Sequence, residues 1–210
     1  MIIVNFSTKE YSRPQRRLIS SLDGYHKLMF NDYVSIGSPS HAESPYEFKL
    51  FAIEAGWKYD DICLWVDSSF WRVGDLSKIE ELIIRDGYFM SEAGHFVGRW
   101  TNQFTKNYFR VNEEEMKQET GGMIMFSAGL LGLNRRSEIA QEFFSQWKEA
   151  AKAGCFKGDY SNHRHDQSSA SIIAQRLGMK YQRGGEFMSY IGEGYSKPEE
   201  GSVFWLQGMV

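Results

Sequence analysis

The chain has 210 residues, a formal net charge of -3 and a sequence pI near 6.0, which gives no electrostatic case for a nucleic-acid backbone or an anionic membrane as main partner. That length suits one sizeable core, so residues 1–210 are expected to form a single domain, and its two cysteines, Cys63 and Cys155, build no disulfide framework. The amino terminus enters Ile2-Ile3-Val4 without the basic and apolar regions of a secretory leader, so a cytoplasmic location is the expectation. The charge-free stretch from Gly121 to Asn134 is too short to span a bilayer.

Residues 2–6 read as a short strand, with Ser7 and Thr8 as polar groups at its carboxyl end. Ser12 then opens a helix with Pro14 in its first turn and Gln15 at capping-box spacing, and Leu18 and Leu22 form its buried stripe. Arg13, Arg16 and Arg17 crowd the helix start, the unfavourable end for cations unless an anion lies nearby. Lys27 to Phe30 and Val34 to Ile36 carry weak strand signals. Ser44-Pro45-Tyr46-Glu47 has the form of a helix start, followed by a stripe of Phe48, Phe51, Ala52 and Ala55 and closed by Gly56. Lys49 falls off that stripe.

The unbroken apolar run Ile62-Cys63-Leu64-Trp65-Val66 stops at Asp67-Ser68-Ser69. Such a run, without polar alternation, reads as a central strand covered on both faces. Asp67 then stands at the strand's carboxyl end, where ligands bind in open α/β sheets. Asp75 caps a helix with Leu76, Ile79 and Ile83 on its buried face, ended by Gly87, and Tyr88-Phe89-Met90 is a further strand. From Ser91 to Glu119 the pattern is irregular. Met123 to Phe126 and Leu130 to Leu133 bracket Ser127-Ala128-Gly129, small residues that permit close approach. A helix with Ile139, Phe143, Trp147 and Ala150 follows, ended by Gly154. Asp166 is expected to cap a last helix with Ala170, Ile173, Ala174 and Leu177, stopped by Gly178. The βαβα alternation predicts an α/β fold with a mostly parallel central sheet flanked by helices.

Several other constellations are weaker. His163, His165 and Cys155 are zinc-ligating types, but no second cysteine pair completes a recognised spacing. Gly184-Gly185 and the Gly192/Gly194 pair do not follow a strand and open a helix, as a phosphate loop would. No G-x-S-x-G elbow is present for acyl transfer.

Four stretches, in order, resemble the GT-A class of nucleotide-diphospho-sugar glycosyltransferases: the first strand with Ser7-Thr8, the Lys49 helix leading into Leu64-Trp65-Val66-Asp67-Ser68-Ser69, Phe126-Ser127-Ala128-Gly129-Leu130-Leu131-Gly132-Leu133-Asn134, and His165-Asp166-Gln167 opening a helix. The resemblance spans residues 2 to about 177 and implies a single GT-A-like, Rossmann-related domain. It implies donor contacts from Ser7, Thr8, Lys49, Asp67, Ser69, Ala128 and Gly129, with Asp166, Gln167 and His165 near the reacting sugar. It also implies a UDP-sugar donor and a divalent cation, Mn2+ or Mg2+, held in part by Asp67. Here the D-x-D signature reads Asp67-Ser68-Ser69, and no histidine follows His165, so cation affinity is expected to fall, and a metal-independent site with Lys49 or nearby arginines as charge stabilisers is the alternative. Two other functions compete with transfer to an unidentified acceptor. One is a nucleotide-sugar-binding protein without catalysis; the other is a transferase acting on modified bases in nucleic acid, for which Arg135, Arg136 and Arg164 supply cations.

Overall fold

The computed structural model describes residues 1–112, 115, 122–190 and 200–206; Glu119, Gly192 and Gly194 lie outside the described residues. In chain order the elements are β1 (Ile2–Phe6), α1 (Ser12–Ser21), β2 (Lys27–Phe30), α2 (Tyr33–Ile36), α3 (Phe48–Gly56), β3 (Ile62–Val66), β4 (Phe70–Arg72), α4 (Ser77–Asp86), β5 (Tyr88–Phe96), α5 (Gln103–Phe109), β6 (Ile124–Asn134), α6 (Glu138–Lys152), α7 (His165–Arg176), β7 (Met188–Tyr190) and β8 (Phe204–Leu206).

A five-stranded sheet of order β2-β1-β3-β6-β5 forms the centre of this α/β fold. β1 pairs in parallel with β2 and β3, whereas β6 is antiparallel to both β3 and β5. Four of the five strands therefore run one way and β6 is reversed. α3, α6 and α7 cover one face through Phe48, Trp147, Phe143 and Ile173. On the other face Leu18 and Leu22 of α1 and Ile79 and Ile83 of α4 pack with Phe70 and Phe204. The last two rings come from a three-stranded sheet of order β4-β8-β7. Helices on both faces explain why β3 carries no polar alternation.

β6 reverses direction, so the register has a consequence for the site. Leu130 pairs with Val66, the last residue of β3. Residues 124–129 therefore run past the tip of β3 and form a wall above its carboxyl end, and Ser91–Phe96 of β5 overhang in the same direction beyond Met90.

Several local expectations are corrected. Val34–Ile36 is a one-turn helix rather than a strand, because the Asp32 carboxylate accepts from Val34 and Ser35 N–H and caps it. The stretch after Ser91 is partly regular: β5 continues to Phe96, and α5 is capped by Asn102, which accepts from Thr105 N–H at 2.9 Å. The two apolar runs around Ser127-Ala128-Gly129 are one continuous strand. Gln15 closes no capping box; its amide donates to Asn5 Oδ1 and the Phe30 carbonyl, tying α1 to β1 and β2. Gly87 does end α4 in the left-handed region at φ 86°. Gly56 is the last helical residue of α3, and a Cβ there would lie 2.6 Å from Val4 Cγ2, so it serves close helix-to-strand packing.

Candidate active site

A cavity of about 710 Å³ opens at the carboxyl ends of β1 and β3. Ser7, Thr8, Asp67, Ser69, Gly129 and Gln167 all line it, so the structure brings six of the expected residues together. The floor is fixed by polar contacts between strand ends. Asn5 Nδ2 donates to the Val66 carbonyl at 2.7 Å and to Ser68 Oγ at 3.0 Å, which locks the end of β1 to the tip of β3. Ser68 is thereby buried in that network, and Ser69 is turned to the cavity. Arg17, which does not itself line the cavity, donates from Nη2 to the Ser69 carbonyl at 3.3 Å.

Asp67 is held on one side only. Its Oδ1 accepts from Trp65 Nε1 at 2.8 Å and lies 3.5 Å from Lys49 Nζ. Trp65 and Asp67 stand two apart, so the alternation at the strand end puts both side chains on one face. The Asp67 side chain remains 33% exposed, against 3% for Lys49. Its Oδ2 points toward Gly129, where a Cβ would lie 2.9 Å from that oxygen and 2.8 Å from Phe70 Cε2. Only glycine leaves this space.

Lys49 lies beneath the cavity floor and does not line it. Its ammonium is 3.0 Å from Asp166 Oδ2, donates to the Ala128 carbonyl at 3.1 Å, and sits over the rings of Tyr46 and Trp65. Burial works against its charge, but the Asp166 and Asp67 carboxylates outweigh it and raise its pKa above the ordinary lysine value. The expectation that Lys49 touches donor phosphates is therefore corrected to a buried cation joining α3, β3, β6 and α7. Ala128 is likewise behind the wall, in the core with Phe126, contributing its carbonyl to Lys49. Strand alternation gives the cavity Ser127 and Gly129 instead.

Asp166 is not a helix cap. It sits in the first turn of α7, where its side chain, 5% exposed, turns inward to Lys49. Burial raises its pKa, with Lys49 pulling in the opposite direction. Its backbone carbonyl accepts from Trp147 Nε1 at 3.1 Å, which anchors the turn to α6. His165 is also buried, and Nδ1 lies 2.9 Å from the Phe156 carbonyl, so that nitrogen carries the proton. Tyr46 and His165 adopt positive φ of 61° and 45° with their rings 5.3 Å apart. Two strained non-glycine residues packed together beside a cavity are a feature of functional sites. Gln167 alone of the His165-Asp166-Gln167 group lines the cavity.

The zinc constellation does not form. Asn102 N–H approaches His163 Nδ1 at 3.3 Å, which leaves Nε2 to donate to the Cys155 carbonyl at 2.8 Å. Among the described residues no group of three or more His, Cys, Asp or Glu could hold a metal ion. The same bears on a cation at Asp67: one carboxylate, with an oxygen already shared by Trp65 and Lys49, does not make a divalent site. Nor do the three arginines share a surface. Arg135 and Arg136 both pair with Asp61, at the opposite end of β3 from Asp67, while Arg164 lines the cavity. No helix among the described residues is long and apolar enough to cross a membrane.

Tyr46, His95, Ser127, Arg164 and Tyr190 also line the cavity without having been singled out for the donor site. Only Ser127 had a usable sequence signal, its place two residues before Gly129.

Among the solved structures similar to this chain over most of its length are the following three. A glycosyltransferase involved in glycosylation of the major capsid of PBCV-1 superposes over 98% of this chain and 92% of its own, with a TM-score of 0.56 and 14% identity. The galactosyltransferase LgtC in complex with donor and acceptor sugar analogs covers 98% and 86%, at TM-score 0.50 and 14% identity. Mouse xyloside xylosyltransferase 1, in its apo form, covers 98% and 96%, at TM-score 0.50 and 12% identity. No protein-family model matches the sequence, and no curated protein matches it. With the reversed β6 strand and the cavity at the ends of β1 and β3, the architecture of this chain is the GT-A fold of nucleotide-sugar glycosyltransferases.

Proposed function

We propose that this protein is a glycosyltransferase that moves a sugar from a nucleotide-diphosphate donor, a UDP-sugar, to an acceptor hydroxyl. The observation that carries this reading is Asp67: a carboxylate at the tip of the central strand, one oxygen fixed from behind and the other turned into a cavity of about 710 Å³. That volume falls within the roughly 300–1,000 Å³ usual for small-molecule sites.

In this reading Ser7 and Thr8 face the nucleoside, Asp67 and Ser69 the diphosphate end, and Ser127, Gly129 and Gln167 the transferred sugar. Transfer forms a bond from the acceptor oxygen to the anomeric carbon and breaks the bond from that carbon to the diphosphate. The acceptor proton leaves to solvent or a nearby base, and the bonding pair leaves with the diphosphate. Gln167 orients sugar hydroxyls by hydrogen bonds, and Asp67 acts on developing positive charge near the ring. Lys49, Asp166 and His165 act from behind the wall by holding Asp67 and the first turn of α7 in place. GT-A enzymes typically use a divalent cation, but the groups around Asp67 do not fit one.

A thermal-shift series with UDP-sugars, followed by a transfer assay on Asp67→Asn, tests the reading. A true donor raises the melting temperature by mass action. Asp67→Asn keeps the side chain's shape and should cut transfer per folded molecule by about a hundredfold or more; because it also removes one of the two carboxylates that face Lys49, some loss of melting temperature is expected and the rate is compared on folded protein. Unchanged transfer in the variant would remove Asp67 from the site. Ser69, a hydroxyl at the second position of the signature, favours a second reading as a binding protein without catalysis. Tight UDP-sugar binding with neither transfer nor hydrolysis would select it.

A further inference from the structure

The cavity has two ends, and the sheet order distinguishes them. β1 lies between β2 and β3, so the connections leaving its neighbourhood diverge and its carboxyl end is a topological switch point, the place where nucleotides seat in open α/β sheets. Ser7 and Thr8 mark that end. Three strand spacings away, roughly 14 Å at about 4.8 Å each, the overhang of β5 brings Ala93 and His95 to the opposite end. Asp67 and Gly129 stand between. A donor seated from β1 to Asp67 leaves the β5 end to the acceptor.

That end carries the one Lys or Arg among the described residues that line the cavity, Arg164. Its guanidinium carbon lies 3.5 Å from the centre of the Trp100 ring and 4.0 Å from that of Tyr160. Contact with two rings restrains the guanidinium where it lines the cavity. Trp100 in turn lies against His95, with ring centroids 6.0 Å apart, which ties this contact to β5. Of the five N–H donors a guanidinium carries, one is given to the Tyr160 carbonyl. Among the described residues no carboxylate pairs with Arg164. The backbone is fixed as well, since Arg164 N–H donates to the Trp100 carbonyl at 3.0 Å. A preorganised planar fork facing a cavity matches a planar carboxylate in two-point contact.

We propose that the β5 end of the cavity takes an acceptor saccharide bearing a carboxylate, and that Arg164 is the residue that recognises that group. This inference rests on the glycosyltransferase reading above. A polyanionic acceptor such as nucleic acid fits less well, because Arg135 and Arg136 are tied to Asp61 at the far end of β3 and the chain is acidic.

The test uses the whole protein and Arg164→Gln, with two measurements. UDP binding is followed by calorimetry, and transfer from a UDP-sugar is followed on matched acceptors: glucuronate-terminated against glucose-terminated oligosaccharides, and galacturonate against galactose. The parent protein should prefer the acidic member of a pair by roughly tenfold or more, as expected for a charged hydrogen-bonded pair. Arg164→Gln should erase that preference while keeping UDP affinity, and Arg164→Lys should restore only part of it. A parent that uses neutral acceptors as well as acidic ones overturns the proposal, as does a preference that survives Arg164→Gln. Loss of UDP affinity in that variant would place Arg164 at the donor instead, and competition by a short single-stranded oligonucleotide would make the acceptor a nucleic acid. A parent that binds no UDP rejects the glycosyltransferase reading itself, a result distinct from any of these.

Discussion

Lys49 carries a charge that an apolar interior rejects, and two carboxylates keep it there. An ammonium buried among Trp65, Tyr46 and the Ala128 carbonyl is tolerated because Asp166 at 3.0 Å and Asp67 at 3.5 Å oppose the desolvation cost. Removing one partner of a buried pair leaves the other uncompensated, typically at about 3–5 kcal/mol. Lys49→Met keeps the stem and deletes the charge, so it should destabilise the fold by about that much near neutral pH. The sign of the pH dependence follows from Asp166. Without Lys49, burial and then the Asp67 carboxylate raise its pKa, with only His165 acting the other way, and its folded pKa stands above its unfolded one. Such a group's contribution is fully present below the unfolded pKa and is lost as pH rises through the folded one. Chemical denaturation should therefore find the variant closer to the parent at about pH 5 than at about pH 7. Equal stability of the two proteins at neutral pH would show that the pair holds nothing together.

Among the elements, those with a strong one-dimensional pattern were legible in the sequence. β3 was readable because burial on both faces leaves an unbroken apolar run, and its carboxyl end then located Asp67. α4 and α7 were readable from their stripes and from Gly87 and Gly178. What escaped was the direction of polar side chains. Gln15 and Asp166 occupy positions that suit capping, but both turn inward to partners 10 or more residues away in the chain, Asn5 and Lys49. Lys49 was off the apolar stripe for the same reason: it is buried by charge rather than by hydrophobicity. β6 was split in two because Ser127-Ala128-Gly129 has no strand propensity of its own, and pairing with β3 and β5 overrides that. This strand carries its own test. In Gly129→Ala the new methyl meets Phe70 and the Asp67 carboxylate at under 3 Å, and overpacking of this kind costs about 1–3 kcal/mol. Transfer should fall more than tenfold, because the displaced group is Asp67 itself. Gly132→Ala on the same strand meets Ile83 Cδ1 at 2.4 Å, deep in the core. It should lower the melting temperature and leave the per-molecule transfer rate intact. Equal activity loss in both variants would mean that Gly129 serves stability alone.

At the scale of the whole molecule the question is how an acidic protein accepts a doubly charged diphosphate. The cavity holds the carboxylates of Asp67 and Glu10, and repulsion from these is offset by charge placed behind and beside the site. Lys49 lies close enough to Asp67 to cancel much of its field, by way of a low-dielectric floor where such pairs interact strongly. The same proximity weakens Asp67 as a ligand for a divalent cation, since an approaching cation meets the ammonium behind the carboxylate. Ser69 then adds a hydroxyl where a second carboxylate would strengthen chelation. UDP-sugar binding by the parent protein is therefore expected to persist in excess EDTA, and Mn2+ to improve it by less than roughly tenfold. Ser69→Asp rebuilds the D-x-D pair on a residue that already faces the cavity. In that variant donor binding should weaken in EDTA, because the new carboxylate repels the diphosphate, and recover when Mn2+ is added. Calorimetric titration of both proteins with and without Mn2+ checks this. A parent whose donor binding vanishes in EDTA and returns with Mn2+ would show that a cation site exists despite Ser69, and that Lys49 does not substitute for it.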